Sequence, residues 1–174
     1  ELLKAAARGG LAEAQFKLGM ALRKGKHGIV RDREKMIKWF RRAAGNGDAR
    51  ALYYLGLCYR QGGGVDKNLV EADRFFRLSA EQGYVLAQFN LGFRYSKGEG
   101  VDQSYEEAVR WYHLAVDQGL ARAQCHLAYL YRDGEGIKQD YAEAARFFQL
   151  AADQDFKNAH ANLGLLYFEG HGVL

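Results

Sequence analysis

Glycine returns every 36 residues along this chain, at Gly28, Gly64, Gly100, Gly136 and Gly172, each followed by isoleucine or valine. A second ladder runs beside the first, at Leu18-Gly19, Leu55-Gly56, Leu91-Gly92 and Leu163-Gly164, with Leu127-Ala128 as its variant. Self-similarity at a fixed period of roughly 20–50 residues marks stacked units, because no unit of that size buries its own apolar face alone. The period predicts a partial repeat over 1–10, repeats over about 11–47, 48–83, 84–119 and 120–155, and a partial repeat over 156–174. The chain opens without methionine, inside what reads as the end of a helix (Leu2 to Arg8). It stops in a loop after Val173, as a fragment of a longer array would.

Each unit reads as two helices. In the first helix, Ala51, Leu55 and Tyr59, and their counterparts Ala87, Leu91 and Tyr95, share one face at i, i+4 and i+8. Glycine then ends that helix at Gly25, Gly62, Gly98, Gly134 and Gly170. A short loop leads to a capping column of Asp32, Asn68, Ser104 and Asp140. Three residues later stand Lys35, Glu71, Glu107 and Glu143, so the last three copies predict a reciprocal capping box. The second helix carries an aromatic pair, Trp39-Phe40, Phe75-Phe76, Trp111-Tyr112 and Phe147-Phe148, and closes at Gly47, Gly83 and Gly119, with Asp155 in the last copy. Glycine inside a helix costs about 1 kcal/mol against alanine. The column Gly19, Gly56, Gly92 and Gly164 is therefore expected to permit close helix approach, with the aromatic pairs filling the space around it. The predicted fold class is all-α: an α-solenoid, a right-handed superhelix of about five 36-residue helix–turn–helix units.

The string Ala-x-Ala-x-x-x-Leu-Gly-x-x-Tyr-x-x-Gly-x-Gly-Val, a polar cap, then Ala-x-x-Trp/Phe and Ala-Ala-x-x-Gly, resembles the Sel-one-like repeat family, relatives of the tetratricopeptide repeats with longer units. The run from Ala87 to Gly119 is close to an ideal copy, and the match covers essentially the whole chain. The resemblance implies a non-enzymatic scaffold or adaptor for protein–protein interaction. The chain departs from the pattern twice. It lacks the paired cysteines that staple each helix pair in the secreted branch of that family. It also carries one extra residue between Gly25 and Gly28.

Composition narrows the remaining choices. Hydrophobic residues make up 48% and charged residues 26%, the balance of a folded chain, and no apolar run reaches the roughly 18 residues that span a bilayer. Cys58 and Cys125 lie in different columns two repeats apart, which predicts two free thiols. The five histidines lack the i, i+4 pairing of a helical zinc site. The Gly-Glu-Gly triplets lack the preceding strand and following Gly-Lys-Ser/Thr of a phosphate loop. Adjacent carboxylates such as Glu106-Glu107 are accounted for by the helix dipole. No nucleophile stands with a base, so neither enzyme, metal nor cofactor is expected.

Variation within the constant frame is the better functional signal. A second stripe on the first helices changes in every copy, and in related helix-pair solenoids the first helices line the concave face. This predicts a groove for a peptide or protein segment, contacted by Lys17, Arg50, Tyr54, Asn90, Arg94, His126, Leu130 and Asn162. A second expectation rests on charge. Between Arg23 and Arg42 nine lysines and arginines stand against Asp32 and Glu34, a local +7 in a chain whose net charge is +4. Arg23, Lys24, Lys26, Arg31 and Arg33 would then dock an anionic surface, phospholipid or nucleic acid. Neither is the expected partner; against nucleic acid stand the modest total charge and the lack of an aromatic stacking platform outside the buried core. No small-molecule substrate is expected. Exposed end faces predict end-to-end self-association, and the compartment is not specified by the sequence.

Overall fold

The computed structural model describes residues 2–25 and 28–171 of the chain. Lys26, Gly172 and Val173, which the sequence reading used, lie outside the described residues. Ten helices and no strand are found among the described residues: α1 (Leu2–Arg8), α2 (Ala12–Lys24), α3 (Arg33–Gly45), α4 (Ala49–Gln61), α5 (Leu69–Glu81), α6 (Val85–Lys97), α7 (Tyr105–Asp117), α8 (Ala121–Asp133), α9 (Tyr141–Ala152) and α10 (Lys157–Phe168). From α2 onward, even-numbered helices are the first of each pair and odd-numbered ones the second.

The helices fall into two compact units, residues 1–87 and 88–174, divided inside α6. Within the first, packing runs stepwise from α1 to α5; within the second it runs from α7 to α10. This is the neighbour-on-neighbour packing of a repeat solenoid.

Each unit is held by the notch the sequence led us to expect. The second ring of every aromatic pair points inward: Phe40, Tyr112 and Phe148 are fully buried and Phe76 nearly so. A Cβ placed on Gly19 would lie 2.6 Å from the Phe40 ring, on Gly56 2.7 Å from Phe76, and on Gly92 2.8 Å from Tyr112. The rings occupy the space a methyl group would take. At Gly164 nothing lies within 4 Å, and no helix follows α10 among the described residues to present a ring. The two cases predict opposite signs. Gly56→Ala should lower the melting temperature, since overpacking costs about 1–3 kcal/mol against a helix-propensity gain of about 1. Gly164→Ala should raise it. Equal shifts in thermal melts would refute the notch.

The capping column forms, but only half of each predicted box does. Asp32, Asn68, Ser104 and Asp140 accept from the backbone N–H groups of Lys35, Glu71, Glu107 and Glu143 at 2.9–3.2 Å. The reciprocal bond is replaced. The cap residue's own N–H donates across to the preceding helix, from Asn68 to Tyr59 O, Ser104 to Tyr95 O and Asp140 to Tyr131 O, at 2.9–3.0 Å. The carboxylates turn outward instead and pair with Arg74, Arg110 and Arg146 one turn on. A carbonyl at the end of the neighbouring helix meets the orphan amide first, locking the two helices of a pair together.

Asp155 adopts φ 58°, the left-handed backbone that Gly47, Gly83 and Gly119 supply in the other copies. Amide pairs absent from the sequence reading join the ends of α3, α7 and α9 to the first helices α2, α6 and α8. Asn46 donates to Gln15 Oε1 at 2.9 Å, Gln118 to Gln88 Oε1 at 2.8 Å and Gln154 to Gln124 Oε1 at 2.9 Å. Their signal was partly available: the donor column recurs every 36 residues as Asn46, Gln82, Gln118 and Gln154, but the acceptor column reads Gln15, Leu52, Gln88 and Gln124, and Leu52 offers no amide. Cys58 and Cys125 are buried free thiols.

Candidate functional site

The variable stripe does not form one uniform exposed face. Its third column, Ala21, Cys58, Arg94, Leu130 and Leu166, lies two or three residues inside the end of each first helix, where a Schellman turn folds back. The turn's amides donate to this column's carbonyls, Gly63 to Cys58 O, Glu99 to Arg94 O, Glu135 to Leu130 O and His171 to Leu166 O, at 2.8–3.0 Å. The side chains beneath are covered accordingly, and Leu130 is only 4% exposed. Leu130 is thus a core residue under its turn, which corrects its expected role as a groove anchor. Arg94 replaces the apolar contact with a hydrogen bond, its Nε donating to Glu99 O at 2.8 Å, so it braces its own turn.

The other expected groove residues are placed unit by unit. In the first unit Lys17 is exposed and paired with Glu13 at 2.8 Å. Arg50 grips the α4 cap Asp48 at 2.6 Å, and its guanidinium lies 4.4 Å from the centre of the Phe16 ring. Tyr54 is half-buried, stacked on Phe40 and tilted against Phe16, and Arg23 lies over its face at 5.0 Å. In the second unit Asn90 is half-buried. Asn162 donates to Tyr129 Oη at 2.9 Å. His126 sits half-buried among Phe89, Phe93, Tyr112 and Tyr129, with ring centres 5.3–6.0 Å away. Burial foremost, then the charges of Lys97 and Arg122, lower its pKa to about 4, so the imidazole is neutral at pH 7. Burial likewise pushes the Tyr112 hydroxyl up to about 12.

What the tertiary structure brings together, and the sequence reading kept apart, is Tyr54 and the basic segment. Arg23 near the end of α2, Arg31 before the α3 cap and Arg33 at its first residue line a cleft of about 340 Å³ together with Tyr54, Leu57 and Cys58. Arg31 Nε donates to Lys24 O at 3.4 Å. Lys24 is exposed and does not line this cleft. Desolvation raises the Cys58 thiol pKa, partly offset by Arg23 and Arg33.

The same cleft recurs in the second unit at the equivalent columns: Arg132 for Arg23, Gln139 for Arg31, Tyr141 for Arg33, and Asn162 for Tyr54. There the chemistry differs. Arg132 is neutralised by Asp133 at 2.7 Å, and Glu169 lines the wall. One scaffold therefore builds one cleft with two kinds of lining. Among the described residues no group of three or more His, Cys, Asp or Glu is placed to hold a metal ion, and no helix is long and apolar enough to cross a membrane.

Helix pairs repeated in register, with lining residues that change while the frame does not, define an interaction solenoid of the tetratricopeptide-like class. The Sel1 repeat family model matches residues 12–48, 49–84, 85–120, 121–156 and 157–174, and the chain belongs to that family. Sel1 repeats generally serve as protein–protein interaction modules, and proteins built from them are typically non-enzymatic scaffolds. The chain is similar to c5321, a protective antigen of uropathogenic Escherichia coli with the same repeat fold. The identity is 36% and the TM-score 0.91, over 99% of this chain and 37% of that one. It is also similar to a Sel1 repeat protein from Oxalobacter formigenes, at 32% identity and TM-score 0.86, over 95% of this chain and 68% of that one. Among curated relatives, the rat DAP3-binding cell death enhancer 1 is 48% identical over 71 residues, which span 41% of this chain and 13% of the rat protein.

Proposed function

We propose that this chain is a non-enzymatic interaction module that holds a peptide or protein segment against the first helices of its repeats. The observation that carries this reading is the recurrence of one cleft with different linings, Arg23, Arg31, Arg33 and Tyr54 in one unit and Arg132, Gln139, Tyr141 and Asn162 in the other. A frame that needed these residues for folding would repeat them. Changing them while the core columns stay constant is how a repeat scaffold acquires specificity. The name of the rat relative records binding to a protein, which supports a partner of that kind here.

In this reading Lys17, Arg50 and Tyr54 contribute in the first unit, and Asn90, His126 and Asn162 in the second. Arg94 and Leu130 act beneath, holding the turns. Contact with His126 is made by a neutral ring, through shape and a single acceptor or donor.

The test pairs affinity capture from the source lysate with hydrogen exchange of the chain alone and with the captured protein. Slowed exchange is expected in α2 and α4, or in α8 and α10. Protection confined to α3, α5, α7 and α9 would overturn the surface assignment. Capture of nucleic acid or anionic vesicles in place of protein, lost steeply between low and physiological salt, would instead support docking through the basic segment.

A further inference from the structure

The cleft of the first unit carries more charge than its fold requires. Among the described residues, Arg23, Arg31 and Arg33 have no carboxylate partner, although ion pairs are formed along the second helices at Glu71, Glu107 and Glu143. Three guanidinium groups lining one cleft repel each other, and a one-signed lining over an apolar wall focuses the field into the space between them. The second unit shows that the frame does without them. Its cleft has Gln139 and Tyr141 in place of Arg31 and Arg33, and Asp133 cancels its single arginine. Gln139 also does the turn-bracing work of Arg31, donating to Arg132 O at 2.7 Å. Bracing therefore needs one donor nitrogen, and Arg31 leaves its terminal NH2 groups without a partner among the described residues.

We propose that this cleft receives the carboxylate of an acidic peptide segment, with the next apolar residue of that segment lying on Tyr54 and Leu57. The proposal deepens the interaction-module reading and rests on it. Forked guanidinium groups match the two oxygens of a carboxylate. Tyr54 is held rigid by Phe40 and Phe16, which leaves little entropy to lose on contact. A phosphate group would offer the same oxyanion. Nucleic acid fits less well, because backbone tracking needs phosphate sites repeated along the chain and the equivalent second-unit cleft is neutralised.

Random twelve-residue peptides displayed on phage would be selected against the whole chain. Recovered sequences would then be measured by fluorescence anisotropy, beside versions with Gln or Asn for Glu or Asp and versions with phosphoserine at the acidic position. Selection should enrich Asp or Glu beside an aliphatic or aromatic residue. The amide version should bind at least about tenfold more weakly, as loss of a charge-assisted pair implies. The R23Q/R33Q double variant should lose affinity to a similar degree with its melting unchanged, and Arg110→Gln, on a second helix away from both clefts, should not. Bound peptide should slow thiol labelling of Cys58, in the cleft wall, and leave Cys125 unaffected. If phosphoserine binds more tightly than Glu, a phosphopeptide is the source of the oxyanion and the carboxylate assignment falls. Peptides without acidic enrichment, or full affinity in R23Q/R33Q, overturn the cleft assignment while the module reading stands. Failure to select any peptide, with an oligouridine or phosphatidylserine vesicle bound instead, overturns both.

Discussion

Truncating Phe40 to alanine should lower the unfolding free energy by about 3–5 kcal/mol, the range for a buried aromatic whose neighbours relax only partly. Phe40 has no exposed surface, stacks on Tyr54 with ring centres 5.6 Å apart, and fills the notch over Gly19. The expected result is a fall in denaturant midpoint with a similar slope. A double-variant cycle sharpens it. Gly19→Ala should destabilise the unaltered chain, because its methyl group would meet the Phe40 ring. In the Phe40→Ala background the same change should become neutral or stabilising, since the ring is gone and alanine is the better helix former. A Gly19→Ala effect of the same sign in both backgrounds would show that the ring and the glycine are not in register.

His126 should make stability depend on pH between about 6.5 and 4. In the folded chain its pKa is lowered to about 4, below the ordinary 6.5. Between those values the unfolded chain binds the proton and the folded chain does not, so acidification favours unfolding. The stability it contributes is present above pH 6.5 and is lost as pH falls through the folded value, up to about 3 kcal/mol for a shift of this size. His126→Phe keeps a ring within the box of Phe89, Phe93, Tyr112 and Tyr129 and removes the proton site. Chemical denaturation at pH 7, 6, 5 and 4.5 should show the unaltered chain losing stability faster than the variant. Parallel profiles would mean that the imidazole is solvated enough to titrate normally.

The two predictions bear on the same architectural rule. Rings from the second helices do the packing, and the first helices present what varies. Phe40 orders Tyr54 at the cleft of the first unit, and Tyr112 stands within 3.5 Å of His126 in the second. Damage to the packing column should therefore weaken binding without touching a contact residue.

Much of this protein was legible in its amino-acid order. The period of Gly28, Gly64, Gly100 and Gly136, the notch at Gly19, Gly56 and Gly92, the cap side chains and the strained end at Asp155 all depend on local backbone geometry or on a contact repeated in every copy. Repetition made them readable, because a residue type that recurs at one position answers the same physical demand each time. What only the tertiary structure decided is where non-repeating side chains meet. The second half of each capping box was lost to a carbonyl on a neighbouring helix. Leu130 left the surface because a Schellman turn covers it, and Arg94 turned to its own loop. Tyr54 and Arg33 stand 21 positions apart in different repeats, and the packing of α2, α3 and α4 places both in the lining of one cleft. Periodicity specifies the frame because it sums many identical local preferences; the cleft's chemistry rests on single side chains brought together by packing, which no local preference encodes.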